Sequence, residues 1–586
     1  MSPATTAAAK NNAPVVREAV TTNDYLDKTT GESIYQYCQR RRNNLIQDRS
    51  SFIPHWQQLN QFIVPRSARF FSTEKNQTGA KRNTKIINNC ATLALRTAQA
   101  GFMSGVTSPS RPWFLLRTAH NELNKQQAVK IWLDQVKTLM VETFLKSNLY
   151  TTLPLVYADL LVYGTSAFAL MEDDDDVIRC YHFPIGSYVL STGHRGNVNG
   201  CYRDFTLTVA QLVHKFGLEA CSAPVQDNFR MRQFDNDVKV VHVVEENPEA
   251  DPSKLESRYL PYRSIYYEQG NNLGKLLSLR GLHEFAVMAP RWQVTGEDTY
   301  GVCPGMDILG DVMQLQTQEK RGLQLLDMLV QPPRNVPVGM RNEYVGTLAG
   351  EFTFVPDSAT AGKIEPNYVP NPNLQHLGMS IQQVEARVRK GLFEDLFLMI
   401  DQIQRGNVTA TEIQARQQEK MMAMGPVLER LNDEMLDPIV KRTYAIMERT
   451  GLLPIPPPEL MDMPLVIDYI SIMAQAMKLQ GVVAVERLVG FVGSVGNSRA
   501  DALDKLNTDE AIDSYADMVG VPPQLINDLA TVTNIRKGRA AQEAQQVAMA
   551  QAQQAASTAK TMADTQTSTP SMLQTMAGAF APGVAQ

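Results

Sequence analysis

The sequence predicts an α+β fold that is mainly helical, and three observations lead there. Apolar residues recur at helical spacing through several long segments, whereas between Phe168 and Gln269 β-branched and aromatic residues gather in short runs bounded by Gly, Asn and Asp. A third signal is the Ala/Gln-rich tail (AAQEAQQVAMAQAQQAASTAK), nearly uncharged, which as an isolated helix has only a faint apolar stripe. That tail needs identical neighbours or stays disordered.

The first thirty residues are rich in Ala, Thr and Asn and predict a disordered arm. From Ser33 to Phe62 the period is helical, with Trp56, Leu59, Phe62 and Ile63 on one face. Helices follow at Asn88–Val106 and Asn124–Phe144, and Pro154 is expected to open another, ending near Gly164. FALMEDDDDVIRCYHFP then reads as two strands joined at an acidic turn, and YVLSTGHRGNVNGCYRDFTLT as a hairpin with a Gly/Asn loop. VKVVHVVEEN and YRSIYYEQ are further strands.

Pro304–Val330 returns to a helix, its apolar set being Met306, Leu309, Val312, Met313, Leu323 and Leu326. QPPRNVPVG stops it, because proline cannot continue the backbone ladder. Residues 334–370 hold short strand-like runs, EFTFVP and KIEPNYVP. Leu374–Ile403 and Thr409–Arg449 read as helices, the second kinked at Gly425-Pro426. LLPIPPPEL is an extended connector, and 465–535 reads as helical with Gly breaks.

The totals exclude several classes. The chain has 586 residues, 44% hydrophobic and 20% charged, enough for several domains or one large composite. A net charge of −5 argues against tight phosphate neutralisation, though not against a protein that lets DNA pass. Cys38, Cys90, Cys180, Cys201, Cys221 and Cys303 contain no CxxC and read as reduced, buried thiols of a cytosolic protein. The N-terminus lacks a basic segment followed by an apolar core, so no signal peptide is expected. Asp159 interrupts the best candidate for a membrane span. The 26 Met suit irregular gaps and adaptable subunit contacts.

Tests for chemistry come back empty. GNNLGKLLS, from Gly270, has three residues between its glycines instead of four, and Leu276 stands where a magnesium-binding hydroxyl belongs, so it reads as a turn before a strand. The run Glu172 to Asp176 lacks the alternating ligands and central Gly of a calcium loop and reads as a solvated hairpin turn. His182 near Cys180 is far short of a zinc set and reads as a half-buried strand histidine. Ser166 lacks the glycines of a nucleophile elbow. No catalytic residue, metal ligand or cofactor is expected. The short basic clusters Arg40-Arg41-Arg42, Lys81-Arg82 and Arg536-Lys537 read as solvated faces.

One stretch, DQIQRGNVTATEIQARQQEK, breaks a helical pattern and restarts it at once. Gln404, Arg405, Gly406 and Asn407 form the polar insert, and Thr409 with Glu412 forms a capping box that reopens the helix.

Five segments carry a resemblance. WQQLNQFIVPR (Trp56–Arg66), GFMSGVTSPSRPWFLL (Gly101–Leu116), SNLYTTLPLVYADLLVYGTSAFAL (Ser147–Leu170), GNVTATEIQARQQEKMMAMGPVLERLNDEMLDPIV (Gly406–Val440) and IDYISIMAQAMK (Ile467–Lys478) occur in this order. Together they resemble the head-to-tail connector (portal) proteins of T7-like short-tailed bacteriophages, over roughly residues 33–535. The resemblance implies a portal fold of wing, stem, clip and crown, assembled as a ring of about twelve identical subunits. Double-stranded DNA would pass through its axial channel during packaging and ejection.

On that pattern 1–32 is an N-terminal arm, 33–303 the wing, 304–331 and 374–401 the stem helices, and 332–373 the clip. Residues 402–408 become the channel loop, with Gln404, Arg405, Gly406 and Asn407 facing DNA, and 409–450 the long helix back through the wing. Residues 451–535 form the crown and 536–586 a helical barrel, which only some members carry. The implied partners are the terminase, the scaffold, the major capsid protein and a tail adaptor, with no membrane. The implied place is the head–tail vertex of the virion, after assembly in the host cytoplasm. A belt of Arg405 side chains would lie within a Debye length, about 8 Å, of a centred duplex in a narrow bore. The competing reading of the insert is a plain helix–turn–helix connection between subunits. For the whole chain the alternatives are an adaptor or internal ejection protein and, further off, a DNA-processing enzyme.

Overall fold

The computed structural model describes residues 32–70, 84–124, 126–254, 256–271, 274–330, 334–335, 365–366, 373–395, 424–460, 465–470, 486–494, 506–519 and 529–564. Helices α1 (Ile34–Arg49), α2 (Ile53–Phe62) and α3 (Cys90–Gly105) lead into strand β1 (Phe114–Thr118). A single-turn α4 (Asn121–Asn124), α5 (Gln127–Lys146) and α6 (Leu149–Tyr163) follow. The strand-rich part comprises β2 (Ala167–Asp173), β3 (Val177–Phe183), β4 (Tyr188–Thr192) and β5 (Val198–Thr208). It continues through α7 (Val209–Phe216), α8 (Ala223–Arg230), β6 (Asp237–Glu246), β7 (Tyr262–Glu268), β8 (Leu276–Leu282) and β9 (Val287–Met288).

Next come α9 (Pro304–Val330), the paired β10 (Arg334–Asn335) and β11 (Glu365–Pro366), and α10 (Leu374–Gly391). Then follow α11 (Gly425–Leu431), a π-helical turn at Asn432–Leu436, α12 (Asp437–Arg449) and β12 (Leu465–Tyr469). Helices α13 (486–494), α14 (Thr508–Val519) and α15 (Leu529–Asp564) complete the order. The chain divides into a larger unit of 1–117, 135–455 and 465–519 and a smaller one of 118–134, 456–464 and 520–586. The long α15 falls wholly in the smaller unit, and its large apolar residues Ile535, Val547 and Met549 are exposed. No described helix is long and apolar enough to cross a membrane.

The mixed helix-and-sheet character expected of the sequence holds, and several details shift. The single helix expected over Ser33–Phe62 is two, since Pro54 occupies the first turn of α2, where its missing N–H costs nothing. Of its predicted inner face, Trp56, Leu59 and Ile63 are fully buried and Phe62 is half-buried. Pro154 lies inside α6 instead of opening it, because Asn148 and Leu149 start the helix one turn earlier. Residues 465–469 form a strand where a helix was expected. Leu-Val-Ile-Asp-Tyr is β-branched and apolar enough to pair with β1, and Tyr469 stacks on Trp113 at a ring separation of 6.4 Å. The helix expected over Leu374–Ile403 breaks after Gly391, where Phe393 takes a left-handed φ of +59°; Glu394 and Asp395 are helical again, and 396–403 lie outside the described residues.

The β2–β3 pair closes on the acidic turn as expected, with β9 on the other edge of β2. That turn is exposed at Glu172, Asp174 and Asp175, as expected, and carries surface ion pairs as well. Asp173 and Asp176 accept hydrogen bonds from Arg179 at 3.1 and 3.0 Å, and Glu172 accepts one from Arg449 at 2.7 Å. Strands β4 to β8 form an antiparallel meander of five. Period-2 alternation gives it two faces. Val241, Val243, Ile265 and Tyr267 pack beneath Ile34, Tyr35 and Cys38 of α1. Val240 and Leu277 face the other way, toward Val209, Leu212 and Val225 of α7 and α8. Each such aliphatic side chain, fully buried, contributes about 1.5–3 kcal/mol. All six cysteines are buried as thiols.

Gly164 is the hinge of the helical core. It ends α6 at φ +76°, donates its N–H to Leu160 O at 3.1 Å, and accepts from the Trp292 N–H at 2.9 Å. A Cβ there would lie 2.2 Å from Gly301 O, so both the conformation and the backbone contact exclude a side chain. Gly164→Ala should therefore lower stability by about 2 kcal/mol or more, read as a shift of the thermal unfolding midpoint.

Candidate functional site: the α9–α10 pair and its anchors

Helices α9 and α10 pack against each other as an antiparallel pair. Helix α9 divides along its length. Ile308, Leu309, Val312, Leu315 and Gln316 are buried, whereas Leu323, Leu326, Met328 and Val330 are 46–77% exposed. Of the apolar set read from the sequence, Leu309 and Val312 are core, and Met313, Leu323 and Leu326 face outward. On α10, Val384 and Val388 are buried, with Leu374 and Met379 exposed. The helices touch closely: a Cβ on Gly391 would sit 2.3 Å from Ile308 Cγ2. Arg387 bridges them through Asp311 at 2.9 Å and Gln314 at 3.3 Å, and Gln318 donates to Ser380 Oγ at 3.2 Å.

A polar clasp at Asn88 joins both helices to the start of α3. Gln316 Oε1 accepts from the backbone N–H groups of Ile87 and Asn88 at 2.7 and 2.9 Å, and Gln316 Nε2 donates back to Asn88 O at 2.8 Å. Asn88 Nδ2 donates to Glu319 of α9 and Glu385 of α10, each at 2.8 Å, and Asn88 Oδ1 accepts from the Cys90 N–H. One amide thus holds two carboxylates that would otherwise repel.

Two buried arginines anchor the segment that follows. Arg291, after β9, donates to Glu434 Oε1 at 2.6 Å through Nη2, to Gly196 O at 2.7 Å, and its backbone N–H reaches Glu434 Oε2 at 2.8 Å. Arg442 of α12 donates to Leu170 O at 2.9 Å and to Glu284 Oε2 at 3.1 Å. Burial pushes the Arg442 guanidinium down from its ordinary range while the carboxylates of Glu284 and Glu172 oppose it. Arg449 ties the same Glu284 at 2.6 Å. Asp159, which interrupts the apolar run of α6, is also buried. Its carboxylate meets His182 Nε2 at 2.8 Å, and burial raises its pKa while the histidine bond opposes the rise.

The insert residues Gln404, Arg405, Gly406 and Asn407 and the capping pair Thr409 and Glu412 lie outside the described residues, as do residues 1–31 and most of 332–372. Ser166 is fully buried. Among the described residues no group of three His, Cys, Asp or Glu stands close enough to hold a metal ion. The clasp and the anchors were missed by sequence reasoning, although a signal existed. Gln316 follows Val312 and Leu315 on an apolar stripe, and Arg442 sits between Ile439 and Ile446 on another.

Asn88→Ala should cost about 2 kcal/mol, since it leaves Glu319 and Glu385 without their shared donor. Faster amide hydrogen exchange in α10, with α1 unchanged, is the expected signature. Glu434→Gln should cost about 3–5 kcal/mol in thermal or denaturant unfolding, because it strands the buried Arg291 charge.

Comparison with known proteins agrees with the reading of the motifs. Residues 35–526 match the family model described as bacteriophage head to tail connecting protein. The chain is 43% identical to the portal protein of Salmonella phage epsilon15 over 533 residues, which are 91% of this chain and 96% of that one. It is 38% identical to the probable portal protein of Bordetella phage BPP-1 over 542 residues, 92% and 97% of the two chains. The chain belongs to the bacteriophage head-to-tail connecting family, that of the phage portal proteins.

Proposed function

We propose that copies of this chain close into a ring, of about twelve subunits, around an axial passage for double-stranded DNA at one vertex of the capsid. In this reading α9 and α10 are the stem, the segment 332–373 is the clip, 33–303 is the wing and 451–535 is the crown. The helix α15 extends toward a barrel formed with its counterparts. The insert at 402–408 is the collar, from which Arg405 faces the duplex. The ring receives the packaging terminase and later the tail adaptor, after contact with scaffold and major capsid protein, and is a structural conduit without catalysis of its own.

The observation that carries this reading is the division of the α9–α10 pair. One end is clasped into the fold by Asn88 and Gln316, and the other displays Leu323, Leu326, Met328, Val330, Leu374 and Met379 to solvent. Paired helices that leave an apolar stripe uncovered need a neighbour of the same kind, and a closed ring supplies one to every copy. The exposed Ile535, Val547 and Met549 of α15 make the same demand.

Native mass spectrometry and negative-stain imaging test this directly: a wide ring with an axial hole is expected, and monomers at micromolar concentration would overturn it. The double substitution Leu323→Asp with Met379→Asp should shift the population from rings toward monomers, because it places charges where apolar stripes meet. Deleting Arg405 to Asn407 should leave ring assembly intact and impair DNA packaging or retention. Loss of assembly would instead make the insert a structural connection between helices.

A further inference from the structure

The five-stranded sheet treats the positive charges on its two faces differently. Beneath α1, Arg42 is forked onto Asp204, with Nε at 2.9 Å, and Arg263 onto Glu245, with Nε at 2.8 Å. On the opposite face stand Arg203 of β5, Lys215 of α7 and Arg280 of β8, and the buried Glu268 carboxylate on that face is turned onto the Ser222 N–H. None of the three makes an ion pair among the described residues.

Cross-strand register places Arg203 opposite His242 and His242 opposite Tyr266, and puts Arg280 opposite Ser264 on the same face. The Arg203 guanidinium carbon lies 4.3 Å from the Phe183 ring centroid and 4.8 Å from that of Phe205. Its Nε is shut off from solvent and has no hydrogen-bond partner. Lys215 Nζ stands 4.7 Å above the Tyr266 ring, whose other company is the His242 imidazole, stacked at 4.0 Å.

The electrostatics agree with the geometry. Burial lowers the pKa values of Arg203, Lys215 and His242, and for Lys215 and His242 the neighbouring cations lower them further. No acidic residue compensates any of the three. A half-buried guanidinium on the same face as two further cations, with no carboxylate pairing any of them among the described residues, is more favourable when an anion occupies the site.

We propose that this corner of the sheet, formed by Arg203, Lys215 and Arg280, is a phosphate-binding site. The chemistry favours phosphate over a single carboxylate. A carboxylate satisfies one guanidinium fork and one charge, whereas a phosphate offers more acceptor oxygens and up to two charges to a fork plus two further cations. The phosphate belongs either to the backbone of a nucleic acid or to a free phosphate or nucleotide. The site lies on the β5–β8 sheet, remote in sequence from the 402–408 insert, so it does not depend on the collar.

The test uses the full-length protein and two variants, Lys215→Gln with Arg280→Gln, which removes two of the three charges, and Arg203→Lys, which keeps the charge and removes the fork. Inorganic phosphate is titrated calorimetrically at constant ionic strength, and a short labelled DNA duplex by fluorescence anisotropy. The wild type should bind phosphate, and the double variant should bind it roughly tenfold more weakly or worse. A parallel drop for the duplex, with a shallower salt dependence, identifies the nucleic-acid backbone as the source. A drop for phosphate alone identifies free phosphate or a nucleotide. No phosphate binding by the wild type, or equal affinity in wild type and variants, overturns the proposal. So does a site that answers to a glutamate-rich peptide and not to phosphate. Ring formation, imaged on the same preparations, reports separately on the portal reading.

Discussion

A buried guanidinium must find acceptors within the protein, and two such groups govern how this chain is put together. Arg291 and Arg442 are each no more than 3% exposed, and each reaches across more than a hundred residues of sequence to its carboxylate. Arg291 gathers the end of the small sheet, the β4–β5 turn at Gly196 and the π turn around Glu434. Arg442 fixes α12 to β2 and to the segment before β9. Removing water from such charges costs several kcal/mol per ion, so neither pair is a large net source of stability. Their effect is selective, because any arrangement that separates the partners leaves a charge stranded in the core.

The same selectivity applies to the helix pair. Apolar contacts between α9 and α10 are non-directional and permit sliding by a turn. The Asn88 amide and the Gln316 side chain permit one register only, since their donors and acceptors are spoken for on three segments at once. A few directional bonds at one end of the pair thus fix the face that both helices present along their length.

Much of this was legible in the sequence, and the limits of legibility have physical reasons. Pro304–Val330, the two hairpins and the helix stop at Gly164 were read correctly because periodicity and turn chemistry are local signals. Pro154 was misplaced because proline is tolerated in a first or second turn, and the residues before it could also be helical. The strand at Leu465–Tyr469 was missed because a single short apolar run does not separate strand from helix. Its pairing with β1 depends on a partner some 350 residues away. The clasp and the arginine anchors involve single polar residues on apolar stripes, visible as anomalies, but their partners exist only in three dimensions. The charge imbalance between the two faces of the large sheet was equally invisible, since scattered Lys and Arg acquire a common location only when strands register.

The π turn at Asn432–Leu436 has a further consequence. It places Pro438 just beyond it, in the first turn of α12, and it adds one residue to a turn that would otherwise hold 3.6. That added residue sets the angular phase between α11 and α12. It lets Leu428 and Leu431 face inward on one side of it while Ile439, Arg442 and Ile446 face inward on the other. Loss of the added residue would rewind the turn to an ordinary helix and leave both faces in phase, whereas loss of a residue from the regular turns on either side would rotate everything upstream by about 100° about the helix axis. The π turn is therefore where this helix takes up a change in length without changing the aim of what it carries.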